Sequence, residues 1–183
     1  VGEFAELLEK KGASVVACDA SPTFIRIAQE RNQRGIQWFQ HDLREKMPLT
    51  QDSFDAVTCL MTLMDVDPLD VFMAETARVL RASGIFVAAI SHPAFASHPL
   101  GKTLLEKVLH KPPHYRVATY AELRTAKVRP GNIREATTYY HRPLEWYVEL
   151  LGRAGFVLTD LREPVFSRSE VAGENNFLKL CSM

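Results

Sequence analysis

A-S-V-V-A-C-D-A-S-P, residues Ala13 to Pro22, sets a short apolar run against one acid and then a helix start. Val15, Val16, Ala17 and Cys18 read as a strand apolar on both faces, the kind that helices cover from two sides in a parallel sheet. Asp19 ends that strand. Ser21 suits the N-cap because its hydroxyl can accept from an otherwise unpaired first-turn N–H, and Pro22 suits the first helical position, where no N–H is needed. Thr23 to Arg31, with Phe24, Ile25, Ile27 and Ala28 apolar, then reads as a helix. Asp19 carries two readings. It is a carboxylate that caps the turn, or one that stands where an α/β unit holds a ribose diol.

Working outward, Val1 to Lys11 places Val1, Phe4, Ala5, Leu7 and Leu8 on one helical stripe, with Gly12 positioned to end the helix. Downstream, Ile36 to Gln40 reads as a second strand with His41-Asp42 at its end. Leu43 to Ser53 is a polar connection, and Phe54 to Leu60 is a third strand. A helix is expected to begin at Asp67-Pro68 and reach Arg81. Ala82-Ser83-Gly84 then turns the chain into a buried fourth strand, Ile85 to Ile90. Strand and helix alternate throughout, which predicts an α/β fold: a doubly wound, Rossmann-like, mostly parallel sheet.

The pattern changes after Ser91. From His92 to Pro130 the residues are rich in proline and histidine, and Gly101 to His110 and Tyr120 to Lys127 read as short helices of an inserted helical cap. Asn132 to His141 reads as a strand. Pro143 to Ala154 is an amphipathic helix ended by Gly155. Phe156 to Leu161 and Asn176 to Cys181 read as two closing strands, joined by a polar loop with Arg168, Glu170 and Glu174.

With 22 Lys and Arg against 22 Asp and Glu over 183 residues, the formal charge is zero, and no basic block marks a nucleic-acid surface. A small-molecule partner is the expectation. Cys18, Cys59 and Cys181 are odd in number and widely spaced, which suits reduced, buried thiols and a reducing compartment. No apolar run approaches the roughly 20 residues that span a bilayer, so a cytoplasmic location with no membrane partner is expected. No heptad pattern indicates an oligomeric state.

In open α/β sheets ligands bind beyond the carboxyl ends of the strands. Asp19, Asp42, Leu60 to Thr62 and Ser91-His92 all fall at such ends. A carboxylate can accept from both hydroxyls of a ribose, and a second one can accept from an adenine amine. Asp42 also has a plain reading, as a solvated turn residue.

The succession V-G-E-F-A-E-L-L, V-V-A-C-D-A-S-P, H-D-L, S-F-D-A-V-T-C-L, A-R-V-L-R-A-S-G-I-F-V-A-A-I and R-P-L-E-W-Y-V-E-L-L-G-R-A-G-F resembles the class I S-adenosylmethionine-dependent methyltransferases of the small-molecule type. The resemblance implies one domain over 1–183, with a cofactor-binding half at 1–91, a cap insertion at 92–142, and a closing helix and antiparallel strand pair at 143–183. It implies that S-adenosylmethionine is the cofactor and S-adenosylhomocysteine the product. Asp19 would hold the ribose, with Ala20 beside the adenine. Asp42 and Leu43 would address the adenine amine and ring, and Leu60 and Met61 the methionine end. The departure lies at the front, where the family has a first strand and a G-x-G-x-G loop. Only Gly2 answers to the last of those glycines, and residues upstream of Val1 are expected to supply the rest.

Methyl transfer asks the protein to align acceptor and methyl, with a base where the acceptor must lose a proton. His92, directly after the fourth strand, and His141 with Tyr140, where the cap returns to the core, are the candidates. The plain reading makes these histidines backbone-bonded loop residues and the aromatics cap filling. His92 and His98 lack the further ligands that a metal site needs. Two rivals stand beside methyl transfer to an O, N or C acceptor: a noncatalytic or degenerate interaction module on the same fold, and an NAD-type dinucleotide enzyme.

Overall fold

The computed structural model describes residues 1–32, 35–96, 120–128 and 136–164. They fall into two compact units, one drawn from 1–45 with 161–164, the other from 46–160.

In the first unit, α1 (Glu3–Lys10) leads to β1 (Val15–Asp19), α2 (Pro22–Arg31) and β2 (Ile36–Gln40). The strands pair in parallel, Val15 opposite Ile36 through Asp19 opposite Gln40, so both carboxyl ends lie on one side. The expected cap forms: Ser21 Oγ accepts from the Phe24 N–H at 3.3 Å, with Pro22 opening the helix. Ile25, Ala28 and Ile36 are buried. The Arg31 guanidinium donates to Glu3 at 2.5 Å and to the Val1 carbonyl at 2.9 Å, fastening α2 to the start of α1. Gly12 follows α1 with φ +93°, a left-handed turn that favours glycine.

In the second unit, β3 (Phe54–Leu60), α3 (Asp70–Val79) and β4 (Leu80–Ala89) are followed by a short α4 (Pro93–Ala96), then β5 (Arg124–Val128), β6 (Thr137–His141) and α5 (Leu144–Arg153). β3 and β4 are parallel, with a register shift between Phe54 and Ala56. Phe72 of α3 meets Phe86 of β4 edge-on at 6.1 Å, and Phe86 meets Phe156 at 5.6 Å. Leu69, Met73, Val79 and Leu150 are almost fully enclosed. The buried Glu75 accepts from the Met47 N–H at 2.9 Å and from Arg78, while Arg78 also donates to the carbonyls of Leu49 and Met47. This network ties the connection after residue 45 to α3.

Several expectations need correction. The third helix begins at Asp70 rather than at Asp67-Pro68, because the Asp67 carboxylate is engaged by Arg142 instead of capping a helix. It ends at Val79, and the chain passes at once into β4, since Leu80 already pairs with Phe54. β4 is not buried on both faces: Phe86 packs on α3, whereas Ile85 is 62% and Val87 48% exposed. Cys59 is buried but Cys18 is exposed; Cys181 lies outside the described residues.

The described part of the cap after residue 119 also departs from its expected helical form. Tyr120 to Lys127 is not a helix; Arg124–Val128 pairs antiparallel with Thr137–His141. R-T-A-K-V has no apolar stripe to hold a helix, and the ladder satisfies its backbone groups instead. Phe156 to Leu161 has no ladder partner among the described residues. Gly101 to His110, His98, the loop acids and Asn176 to Cys181 lie outside them.

Candidate functional site

In the first unit β1 and β2 bring their terminal groups to one edge. Asp19 Oδ1 accepts from the Ser21 N–H at 2.8 Å, which is the turn-capping role. Asp19 is exposed, and its Oδ2 has no partner among the described residues. The turn-capping role is therefore the one observed: one oxygen shapes the turn, and the other remains an acceptor of the kind that hydroxyl donors need. The Ala20 carbonyl accepts from Gln40 Nε2 at 3.2 Å, and the His41 N–H donates to the Asp19 carbonyl at 3.0 Å, locking the two strand ends together.

Asp42 is a different case. Its carboxylate is gripped by Arg44, with the backbone N–H and Nε on Oδ1 at 3.0 Å each and a terminal guanidinium nitrogen on Oδ2 at 2.5 Å. These bonds, the side-chain ones foremost, hold the Asp42 carboxyl down at about 2 against an ordinary 3.8. An adenine amine would have to share a carboxylate that already holds a cation. Leu43 beside it is half-buried. Gly2 adopts φ +82°, and a Cβ there would come within 2.9 Å of the Trp38 ring and 3.2 Å of Ala28. Its missing side chain makes room for Trp38, a packing demand that accounts for glycine without any ligand.

In the second unit β3 ends at Leu60, whose carbonyl accepts from Thr62 Oγ1 at 3.0 Å. Met61 follows in the left-handed region at φ 54°, exposed, its N–H bound to the Ala89 carbonyl at 2.7 Å. A non-glycine held in that conformation stores strain of about 1 kcal/mol or more, a feature that clusters at binding sites. His92 is half-buried, with Nδ1 accepting from the Ala94 N–H at 3.2 Å.

His141 and Tyr140 come together in a constellation that the sequence only hinted at. Arg142, 4% exposed, donates to the Leu63 carbonyl at 3.0 Å, the Val66 carbonyl at 2.9 Å and Asp67 Oδ1 at 2.5 Å. Its guanidinium also lies 4.6 Å from the Trp146 ring and 5.2 Å from that of Tyr140. The Tyr140 N–H donates to the Met64 carbonyl at 2.7 Å. A buried arginine thus joins the loop after β3 to the β6–α5 junction. His141 is buried, with Nε2 2.9 Å from the Tyr120 carbonyl and Nδ1 enclosed without a partner among the described residues. A carbonyl only accepts, so the neutral ring carries its proton on Nε2 and a lone pair on Nδ1. Tyr139 is pushed up to about 12, chiefly by burial, and stays protonated at neutral pH. A cavity of about 270 Å³ opens here, lined by Asp67, Leu123, Arg124, Tyr140, His141 and Trp146 among others. Asp67, Arg142 and Trp146 border the same cavity and were not among the site residues expected from the sequence. The one available signal was an arginine just ahead of the apolar start of a helix, in H-R-P-L, a place where a charge must be paired to be buried.

No group of three potential metal ligands occurs among the described residues, and no described helix is long and apolar enough to cross a membrane.

The architecture is an α/β Rossmann-like fold shared with solved S-adenosylmethionine-dependent methyltransferases. Residues 1–88 match the family model described as a methyltransferase domain. Among proteins of known sequence, the demethylmenaquinone methyltransferase of Tropheryma whipplei (strain Twist) is 31% identical over 111 residues, which cover 59% of this chain and 46% of that protein. The chain thus spans just under half the length of that relative. Among solved structures, an S-adenosylmethionine-dependent methyltransferase from Mesorhizobium loti superposes with a TM-score of 0.77 at 20% identity, covering 98% of this chain and 81% of the other. A SAM-dependent methyltransferase from Methanosarcina mazei gives 0.65 at 19%, covering 92% and 81%.

Proposed function

We propose that this chain serves S-adenosylmethionine-dependent methyl transfer to a small-molecule acceptor. The observation that carries the reading is Asp19: a carboxylate at the carboxyl end of a parallel strand, exposed, with one oxygen fixed by the turn and the other open. In this reading Asp19 takes the ribose hydroxyls, Ala20 and Leu43 flank the adenine, and Asp42 takes its amine in competition with Arg44. Leu60 and Met61 serve the methionine end. Gly2 contributes backbone only, its side-chain space being used by Trp38. The cofactor, when bound, supplies a methyl group activated on a positively charged sulfur.

Among the proton acceptors, His141 is favoured over His92. Nδ1 of His92 accepts from a backbone N–H, so the neutral ring carries its proton on Nε2 and has no lone pair left for a substrate. His141 has the reverse arrangement, with its lone pair on the unpartnered Nδ1. Tyr140 borders the same cavity and can position an acceptor through its ring and hydroxyl. The name of the Tropheryma relative, demethylmenaquinone methyltransferase, makes demethylmenaquinone the first acceptor to assay.

Titrating S-adenosylmethionine into the full-length protein by calorimetry tests the reading. Saturable one-to-one binding is expected. A folded protein with no binding at millimolar cofactor overturns it and favours the noncatalytic interaction module, for which the Arg44 grip on Asp42 is the supporting observation.

A further inference from the structure

We propose that the cavity beside the β5–β6 hairpin binds a small aromatic acid carrying a hydroxyl next to its carboxylate. As an acceptor site this rests on the methyl-transfer reading; as a binding site it does not.

Charge decides the first part of the ligand's chemistry. Among the described residues, two cations and one anion border the cavity. The charge of Arg142 is spent on Asp67, two carbonyls and two ring faces. Asp67 is neutralised in the same contact. Arg124 is exposed and has neither an ion-pair nor a hydrogen-bond partner among the described residues, so the described wall carries one uncompensated positive charge. A planar guanidinium in that setting pairs with a carboxylate through two parallel N–H···O bonds.

Register decides the second part. Arg124 and His141 are directly opposite in the antiparallel ladder, which puts their Cβ atoms about 5 Å apart on one face of the hairpin. The free cation is therefore the cross-strand neighbour of the unpartnered His141 Nδ1. A buried acceptor with no donor costs about 1–3 kcal/mol, and a ligand hydroxyl reaching it would recover that cost. Nδ1 is closed to water, so the hydroxyl reaches it only as wall side chains part around the ligand. A single ligand that serves both residues must place an O–H donor beside an anion.

The remaining walls decide the shape. Trp146 and Tyr140 supply aromatic surface, Leu123 supplies apolar surface, and about 270 Å³ suits one or two rings rather than a larger molecule.

The test uses three probes on the full-length protein without cofactor: 1-hydroxy-2-naphthoate, 2-naphthoate, which lacks the hydroxyl, and 1-naphthol, which lacks the carboxylate. Calorimetry should rank the first about tenfold tighter than either of the others, one charge-assisted hydrogen bond's worth. Arg124→Ala should erase its advantage over 1-naphthol only. His141→Gln, which keeps a donor for the Tyr120 carbonyl, should erase its advantage over 2-naphthoate only. Equal affinities for the three probes in the unmodified protein, or no binding of any at millimolar concentration, overturn the proposal. The probe ranking needs no variant to fold, and cofactor binding measured separately tells failure of this site from failure of the methyl-transfer reading.

Discussion

At the scale of single residues, the two strand-end aspartates share a topological position and differ in what holds them. Asp19 spends one oxygen on the Ser21 N–H, whereas Asp42 is wrapped by its neighbour Arg44. Because the folded-state carboxyl of Asp42 lies at about 2, below its ordinary 3.8, it contributes stability above about pH 4 that is lost as the pH falls toward 2. Arg44→Ala should return Asp42 to the ordinary carboxylate range, read by carbon NMR of the side chain during an acid titration. An unchanged midpoint would show that Arg44 is not what holds it. Gly2 offers a second test at this scale. Gly2→Ala adds a Cβ against Trp38 at a left-handed φ and should lower stability by about 1–2 kcal/mol in urea unfolding. Asp19 was singled out from a ten-residue stretch because an acid after an apolar run needs only local sequence to be noticed. The Arg44 grip depends on side-chain geometry that a pattern of apolar residues does not encode.

At the scale of elements, the pieces with strong local signals were readable. β1, β2 and β3 follow from apolar runs, α2 from Ser21-Pro22, and α5 from its amphipathic stripe ended by Gly155. β5 was misread as a helix because R-T-A-K-V alternates little in hydropathy and acquires its form from pairing with β6. The start of α3 moved because Asp67 serves Arg142. That arginine makes the element-scale prediction: it braces the loop after β3 against the β6–α5 junction through two backbone carbonyls and one carboxylate. Arg142→Met keeps most of the side-chain volume and strands those acceptors, so it should cost about 2–4 kcal/mol of unfolding free energy. A loss below about 0.5 kcal/mol in denaturant titration would deny it that role.

At the scale of the whole molecule, strand–helix alternation was enough to reach the α/β class, and its order enough to reach the methyltransferase resemblance, which the fold then bore out. The burial of individual strands was not readable. Ile85 and Val87 look like residues of a strand covered on both faces, yet only the Phe86 side of β4 packs on α3. Periodicity reports what a residue prefers, not what arrives to cover it. Cofactor binding through Asp19 is the central claim, and calorimetry of S-adenosylmethionine with the full-length protein and its Asp19→Ala variant tests it most directly. Loss of two charge-assisted hydrogen bonds should weaken binding by about 30-fold or more, with the fold retained by circular dichroism. Affinity within about twofold of the unmodified protein would contradict the account.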